Sequence, residues 1–440
     1  SNAMTEESNA ARPGTGASVS RRTVLAGGLA GGLALAGAPL AAAAPRGPGG
    51  PGRRDLRVMT WNIHTAVAPD APGVVDEPRI AAVIRAEAPD VVVLNEVHRD
   101  APGPGSHGDQ PARLAELLAA DGYVHTWFGL TEVDLPHEGA VLPGSSNGNV
   151  VMSRHPFVGG GVVVPLPNEN YEPGGKLRRS LLTVTVDVPG LGDVVVHATH
   201  LSTPGSAVLV EDQKEQLRIV LDHVDARVPS VLAGDLNIWT TDVPTQPYSQ
   251  NNLMQSWIAE DHLADTWRQV NDPGAGPTMT ASYGRPESPH PDRRIDYVFA
   301  TPAFDVVAGH VSLVDRFASD HLGVVMDLRL GGAPVAARTV LAGEDGLDGW
   351  AQLTASRPGR LRLSVCKNRG QADDDGTAVR AVLRNRAGVA LRTVTDSGTS
   401  RDRCTVETWR GALPPGARLE ACLVGADGTI LASRTETLHA

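Results

Sequence analysis

The chain has 440 residues, a formal net charge of −11 and 41% hydrophobic residues. It is too long for one ordinary core and too apolar for a disordered chain, so a globular protein of more than one domain is expected. The acidic balance argues against a tight nonspecific hold on nucleic acid, which depends on neutralising phosphates.

In chain order, Ser1-Asn2-Ala3 before Met4 reads as a residual tag and is set aside. Ser20-Arg21-Arg22-Thr23-Val24-Leu25 then precedes an apolar Gly/Ala-rich run to Ala44, the pattern of a twin-arginine export signal. The run is long enough to span a bilayer, but its glycines and Pro39 make it a poor anchor. Cleavage near residues 41–44, and an extracytoplasmic protein, are therefore expected. Residues 45–54 are a Pro/Gly/Arg linker. Residues 56–63 predict a strand, and residues 76–88 a helix with Pro78 in its first turn and Ile80, Val83 and Ile84 on one face. Residues 91–94 form an apolar run suited to a strand buried on both faces. A second helix is predicted over 111–120, followed by strands at 149–152, 180–188 and 193–200 and a helix over 207–224. Strands at 230–233, 295–300 and 323–330 complete the body. Two packed sheets with helices outside are expected over residues 55–330. Gly331-Gly332-Ala333-Pro334 marks a boundary (linker 331–337), and short strands with turn signals over 338–440 predict a small β-sandwich. The three cysteines, Cys366, Cys404 and Cys422, all lie in that last region; export permits one disulfide among them, with the pairing open.

Polar residues recur directly after or before these strands: Asn62, Glu96, His200, Asp235, Asn237, Asp296, Asp320 and His321. Taken singly, such residues are common in loops for turn and capping reasons. Together they offer oxygen ligands for a hard divalent ion and a histidine that a carboxylate can orient for proton transfer. His197 is expected to share a sheet face with His200 and to be a packed histidine. Trp239 and Trp267 are expected in the core or a cleft wall, Tyr171 in a loop, and Asp373-Asp374-Asp375 in a solvated turn.

Seven ordered stretches resemble the endonuclease/exonuclease/phosphatase superfamily, the deoxyribonuclease I-like fold. They are Thr60-Trp61-Asn62-Ile63, Pro89-Asp90-Val91 through Asn95-Glu96-Val97, Gly148-Asn149 through Ser153-Arg154-His155-Pro156, Thr199-His200-Leu201, Gly234-Asp235-Leu236-Asn237, Arg294-Ile295-Asp296-Tyr297-Val298 and Ser319-Asp320-His321-Leu322-Gly323-Val324. The resemblance spans residues 56–330 and implies a four-layer α/β/β/α sandwich with metal-dependent phosphoester hydrolysis. It further implies Glu96 as principal metal ligand, with Asn62 beside it and Asp320 as a further metal-side carboxylate. His321 is implied as general base or phosphate-binding imidazolium, with Asp296 orienting it. Asp235 would activate the nucleophile or protonate the leaving group, and Asn237 and His200 would donate to the phosphate. Arg179 and His64 are weaker candidates for substrate contact. Mg²⁺ is the implied ion, with Mn²⁺ or Ca²⁺ as alternatives.

The superfamily includes nucleases, sphingomyelinases and inositol-phosphate phosphatases, so the resemblance leaves the substrate open: nucleic acid, a phospholipid headgroup or a small phosphodiester. Lys176, Arg178 and Arg179 cluster, but no basic stripe appears. Aromatics are only 4% of the chain, and no apolar hairpin suited to bilayer entry is evident. A general phosphodiesterase ranks first, and a non-catalytic binding protein on the same fold is the reading from another class. The last region holds 15 basic and 12 acidic residues. Arg357, Arg360, Arg362, Lys367 and Arg369 lie close together there, which suggests contact with an anionic surface; a stabilising sandwich with a solvated basic edge is the competing view. No protein partner and a monomer are expected.

Overall fold

The structure, a computed structural model, describes residues 55–438 except 104, 134–135, 138–139, 142–144, 169–178, 204–206, 240–247, 272–277, 279–293, 332–333, 344–347, 357–358, 369–375 and 398–402. The export signal and first linker, Tyr171, Lys176, Arg178, Arg357, Arg369 and Asp373-Asp374-Asp375 therefore lie outside the described residues. Among the described residues no helix is long and apolar enough to cross a membrane.

The first part opens with β1 (Asp55–Asn62), α1 (Glu77–Glu87), β2 (Val91–His98), α2 (Gln110–Leu118), β3 (His125–Val133) and the short pair β4 (Pro136–His137) and β5 (Ala140–Val141). Next come β6 (Ser146–Ser153), β7 (Val162–Leu166), β8 (Arg179–Val188), β9 (Gly192–His200), α3 (Ala207–Asp222) and β10 (Ser230–Asp235). Finally α4 (Tyr248–Glu260), β11 (Ala264–Asp265), α5 (Thr266–Val270), β12 (Asp296–Ala300), β13 (Phe304–Val311) and β14 (Val324–Leu330) complete it. Two six-stranded sheets result, in the orders β13-β14-β1-β2-β6-β3 and β11-β12-β10-β9-β8-β7.

Alternation within single strands sets the layers. In β1, Leu56 and Val58 enter the core between the sheets, while Met59 and Trp61 face Ile80, Ile84 and Leu114 of the first two helices. In β10, Val231 and Ala233 enter the inter-sheet core, while Leu232 packs with Leu217, Met254 and Ile258 of α3 and α4. Both faces of the central strands are thus apolar, as the continuous runs at 91–94 and 231–233 require. The four layers are α1/α2, sheet, sheet, α3/α4. α1 begins where the Asp76 carboxylate accepts from Arg79 N and ends at left-handed Ala88, just before Pro89. His197 departs from expectation: it stands three positions before His200, an odd offset, so it points to the opposite face, where its Nδ1 lies 3.0 Å from Thr183 Oγ1.

The second part comprises β15 (Pro334–Ala342), β16 (Gly349–Ser356), β17 (Arg360–Lys367), β18 (Ala378–Arg384), β19 (Ala390–Asp396), β20 (Thr405–Arg410), β21 (Arg418–Val424) and β22 (Ile430–Thr437). They form two antiparallel four-stranded sheets, β15-β16-β17-β20 and β19-β18-β21-β22, packed on Val340, Leu353, Leu363, Val379, Leu383 and Leu419. Cys366 and Cys404 form the disulfide, and Cys422 is a buried thiol. Three of the five basic residues suggested as an anionic-surface contact lie among the described residues, and these make internal bonds. Arg360 and Arg362 both pair with Asp305, Arg362 also donates to Phe304 O, and Lys367 is buried with Nζ on Asn368 O. Arg360 and Arg362 thereby seat the sandwich on the first part.

Candidate active site

Topology brings the polar residues together. β1 runs parallel to β2, and β9 parallel to β10, so Asn62, Glu96, His200 and Asp235 lie at strand C-termini on one edge. β12 and β14 run antiparallel to β10 and β1, so their N-terminal ends, with Asp296 and the Asp320-His321 turn, reach that same edge.

Local distortions then aim the side chains. The pairing of β2 with β6 slips between Leu94 and Val97, and Glu96 in that bulge has φ +55°. A bulge re-aims one side chain without ending the strand. Asn237 has φ +51°, and His64, Thr65 and Ala66 follow one another in the left-handed region. Non-glycine residues seldom adopt this conformation, and each instance costs about 1–3 kcal/mol, which the surrounding packing must hold in place.

A buried network holds the edge in register. Asn95, with no exposed surface, donates from Nδ2 to Asn149 Oδ1 (2.8 Å) and Thr199 O (3.0 Å), and its Oδ1 accepts from Asp235 N (2.9 Å). One amide thereby ties the two sheets together directly behind the site. Thr278 Oγ1 accepts from Ile295 N (3.0 Å), Trp61 Nε1 donates to His321 O (2.9 Å), and Ser319 Oγ donates to Asn62 O (2.8 Å). Sequence reasoning quoted Asn95, Asn149, Trp61 and Ser319 within motifs but gave them no task, and it missed Thr278.

His321 Nδ1 lies 2.8 Å from Asp296 Oδ2, and its Nε2 lies 3.8 Å from Asp235 Oδ2. Burial opposes charge on this imidazole, but Asp296, Asp235 and Asp320 outweigh it and raise its pKa well above the ordinary value. Asp235 is buried, and that burial, with the nearby Asp296 charge, pushes its carboxyl up to about 7. On its other side His200 Nε2 stands 3.5 Å from Asp235 Oδ2. Arg179 Nη1 lies 3.0 Å from His200 Nδ1. A guanidinium only donates, so Nδ1 accepts and Nε2 carries the proton. Burial first, then Arg179 and His321, hold His200 neutral, well below its ordinary pKa. Asp235 therefore faces one cationic and one neutral imidazole. Asn237 adjoins them, its Nδ2 donating to Leu201 O (3.0 Å) and standing 3.2 Å from His200 Nε2.

Asn62 was expected beside the metal. Its Nδ2 donates to Glu96 Oε1 (3.0 Å) and Asp235 Oδ2 (3.1 Å), and its Oδ1 accepts from His64 N (3.0 Å). Flipping the amide would set a donor against the His64 N–H and lose both carboxylate bonds, so the network fixes its orientation. Asn62 thus reaches both carboxylates from the position beside Glu96 where it was expected. Half-buried Glu96 and Asp320 remain as carboxylate donors suited to a hard divalent ion. Arg179 acts on His200, and half-buried His64 turns Nδ1 to Val67 O (2.9 Å). Trp267 lies in the inter-sheet core, and Trp239 is half-buried with its backbone N–H donating to Asn251 Oδ1.

The Endonuclease/Exonuclease/phosphatase family model matches residues 59–321, and the model for that family's ig-like domain matches residues 333–437. No curated protein matches the chain. Among solved structures, an endonuclease/exonuclease/phosphatase family protein from Leptotrichia buccalis is similar at 16% identity, covering 62% of this chain and 99% of its own, with a TM-score of 0.44. The human Nocturnin catalytic domain with bound sulfate is similar at 19% identity, 62% and 93% coverage and a TM-score of 0.43. TDP2 from D. rerio, complexed with a single-strand DNA product, is similar at 17% identity, 62% and 99% coverage and a TM-score of 0.42. With more than half its length matched by one family model, this chain belongs to the endonuclease/exonuclease/phosphatase family, whose members are phosphoester hydrolases.

Proposed function

We propose that the protein is an exported, divalent-metal-dependent phosphodiesterase in which Asp235 and His321 divide the proton chemistry. The observation that carries this is the placement of one buried carboxylate, Asp235, between His321 and His200. Asp296 holds the His321 imidazolium by its Nδ1–H, leaving Nε2–H to meet a phosphate oxygen. Neutral His200 offers its own Nε2–H from the other side, with Arg179 fixing the tautomer. Asp235, its basicity raised by burial, accepts the proton of the attacking water. Glu96 and Asp320 would hold the ion, Mg²⁺ by the chemistry of their oxygens, and Asn62 would orient Glu96 and Asp235. When bound, the ion supplies positive charge to the phosphate oxygens. Export is supported by the Arg21-Arg22 signal and by the Cys366–Cys404 disulfide, a bond favoured in oxidising compartments.

The test is hydrolysis of a bis-aryl phosphodiester by the full chain, with Mg²⁺ and with chelator. Turnover should need the ion. Asp235→Asn and His321→Ala should each lower it by about 10²-fold or more, with thermal stability near that of the wild type. Chelator-insensitive turnover, or near-normal activity of both variants, would overturn the proposal. A parallel panel of duplex DNA, RNA, sphingomyelin vesicles and inositol phosphates assigns the substrate branch.

A further inference from the structure

Outside the catalytic edge, a second group of ligating side chains gathers where β2 ends. His98 is the last residue of that strand, and Asp100, two positions on, projects from the same face. The segment then folds back on itself: Arg99 bridges Asp109, and Asp100 N donates to Gly108 O (2.9 Å). The return brings His107 over His98, with ring centroids 4.4 Å apart. One ligand atom from each of His98, Asp100 and His107 falls within 4.8 Å of the others.

The spacing bears on what these residues are for. His98 Nδ1 lies 3.3 Å from Asp100 Oδ1, and His107 Nδ1 lies 3.2 Å from Asp100 Oδ2. Both are long hydrogen bonds beside the usual N–H···O distance of about 2.9 Å. Each separation is near the edge, about 3.3 Å, of a tetrahedron of ligands about 2.0–2.1 Å from a central zinc, with the two imidazoles facing different oxygens of the one carboxylate. The carboxylate is also anchored as a ligand would be. Its side chain has no exposed surface, Ser145 Oγ and Ser146 N donate to Oδ1, and His107 N donates to Oδ2. Such outer bonds fix the orientation of a coordinating group.

We propose that His98, Asp100 and His107 form a transition-metal site of the zinc class, separate from the oxygen-donor site at Glu96. Two imidazoles with one carboxylate suit a borderline ion such as Zn²⁺, whereas Mg²⁺ prefers oxygen donors and water. Three protein ligands leave the fourth tetrahedral position to water, on the side where His107 keeps 15% of its side-chain surface exposed. The site is a brace. His98 N donates to Gln110 Oε1 (2.8 Å), and Gln110 Nε2 donates to Thr65 O in the left-handed turn that follows Asn62. An ion here pins His107 to the strand end that carries Glu96.

Co²⁺ added to the metal-stripped full chain provides the test, because a tetrahedral cobalt centre absorbs in the visible range. One equivalent should bind with that absorption and persist in excess Mg²⁺. His107→Ala, a change in a partly exposed segment, should weaken binding by about tenfold or more, as should His98→Gln. Glu96→Gln and His321→Ala should leave the band in place, which separates this site from the catalytic edge. Absence of the band in the wild type, or its persistence in both His107→Ala and His98→Gln, overturns the proposal. Loss of the band in His321→Ala with retention in His107→Ala would assign the ion to the catalytic edge and overturn it equally.

Discussion

Two histidines in one strand show how burial sorts chemistry at the level of a residue. His200, at the end of β9, has Arg179 on one nitrogen and Asp235 near the other, and so becomes a neutral donor at the site. His197 faces away and is buried, with Nε2 lacking a partner, and burial lowers its pKa to about 4 from an ordinary 6.5. The sign of the consequence is fixed by proton counting. Between those two values the unfolded chain carries the proton and the folded chain does not, so stability falls as pH drops through this window. The full difference amounts to about 3 kcal/mol. Unfolding midpoints of wild type and His197→Gln, measured from pH 7 to 4, should converge as pH falls, because only the wild type bears this penalty. Parallel curves would show that His197 titrates normally in the fold.

At the level of an element, the meeting of β9 and β10 decides whether Asp235 reaches His200. Gly234 has φ +147°, and a Cβ there would stand 1.8 Å from Thr199 O in the neighbouring strand. Gly234→Ala must part the two strands at the residue before Asp235. It should cost about 2–5 kcal/mol and lower turnover beyond what the stability loss explains. Circular dichroism melts and activity on the refolded fraction check both; a stable, active variant would mean that the strands accommodate the methyl elsewhere. The elements that sequence showed well are those whose pattern is set by burial on two faces, such as β1, β2 and β10. Those missed are partly exposed or weakly patterned. β7 (VVVPL) is an edge strand with Pro165 inside it, and β13 is an edge strand interrupted by Gly309 and a register slip. α4 keeps its apolar residues, Met254, Trp257 and Ile258, in its second half after a run of amides, so its helical period is short. The site residues were legible because each ends or begins a strong strand. The Asn62 orientation, the Asn95 tie and the His98–His107 pairing depend on contacts across 34 to 173 positions, or on a loop returning to its strand, and no local pattern encodes these.

In the whole molecule, the Ig-like sandwich is joined to the catalytic part by buried polar bonds around one arginine. Arg268, on α5, is buried and donates to Lys367 O (2.9 Å) and Asn368 Oδ1 (3.2 Å), while its own carbonyl accepts from Cys404 N (2.8 Å). Its guanidinium lies 5.1 Å from the Trp350 ring centroid, and Trp350 packs with Ala259 and the Cys366–Cys404 disulfide. The disulfide, closing a separation of 38 residues, keeps the Cys404 segment against β17 and therefore in reach of Arg268. Interfaces between domains are ordinarily small and polar enough to permit relative motion. Here the seam includes Arg362 on Phe304 O and Thr339 Oγ1 on Ala259 O, so the two parts should unfold together. Arg268→Ala removes the donor for two acceptors at the seam and the cation beside Trp350. It should cost about 2–5 kcal/mol, concentrated at the interface and not in either core. Calorimetry then reads the coupling directly. The wild type should melt in one transition, and Arg268→Ala should resolve into two, with the sandwich melting first. A single unshifted endotherm in the variant would show that the remaining bonds suffice to couple the two parts.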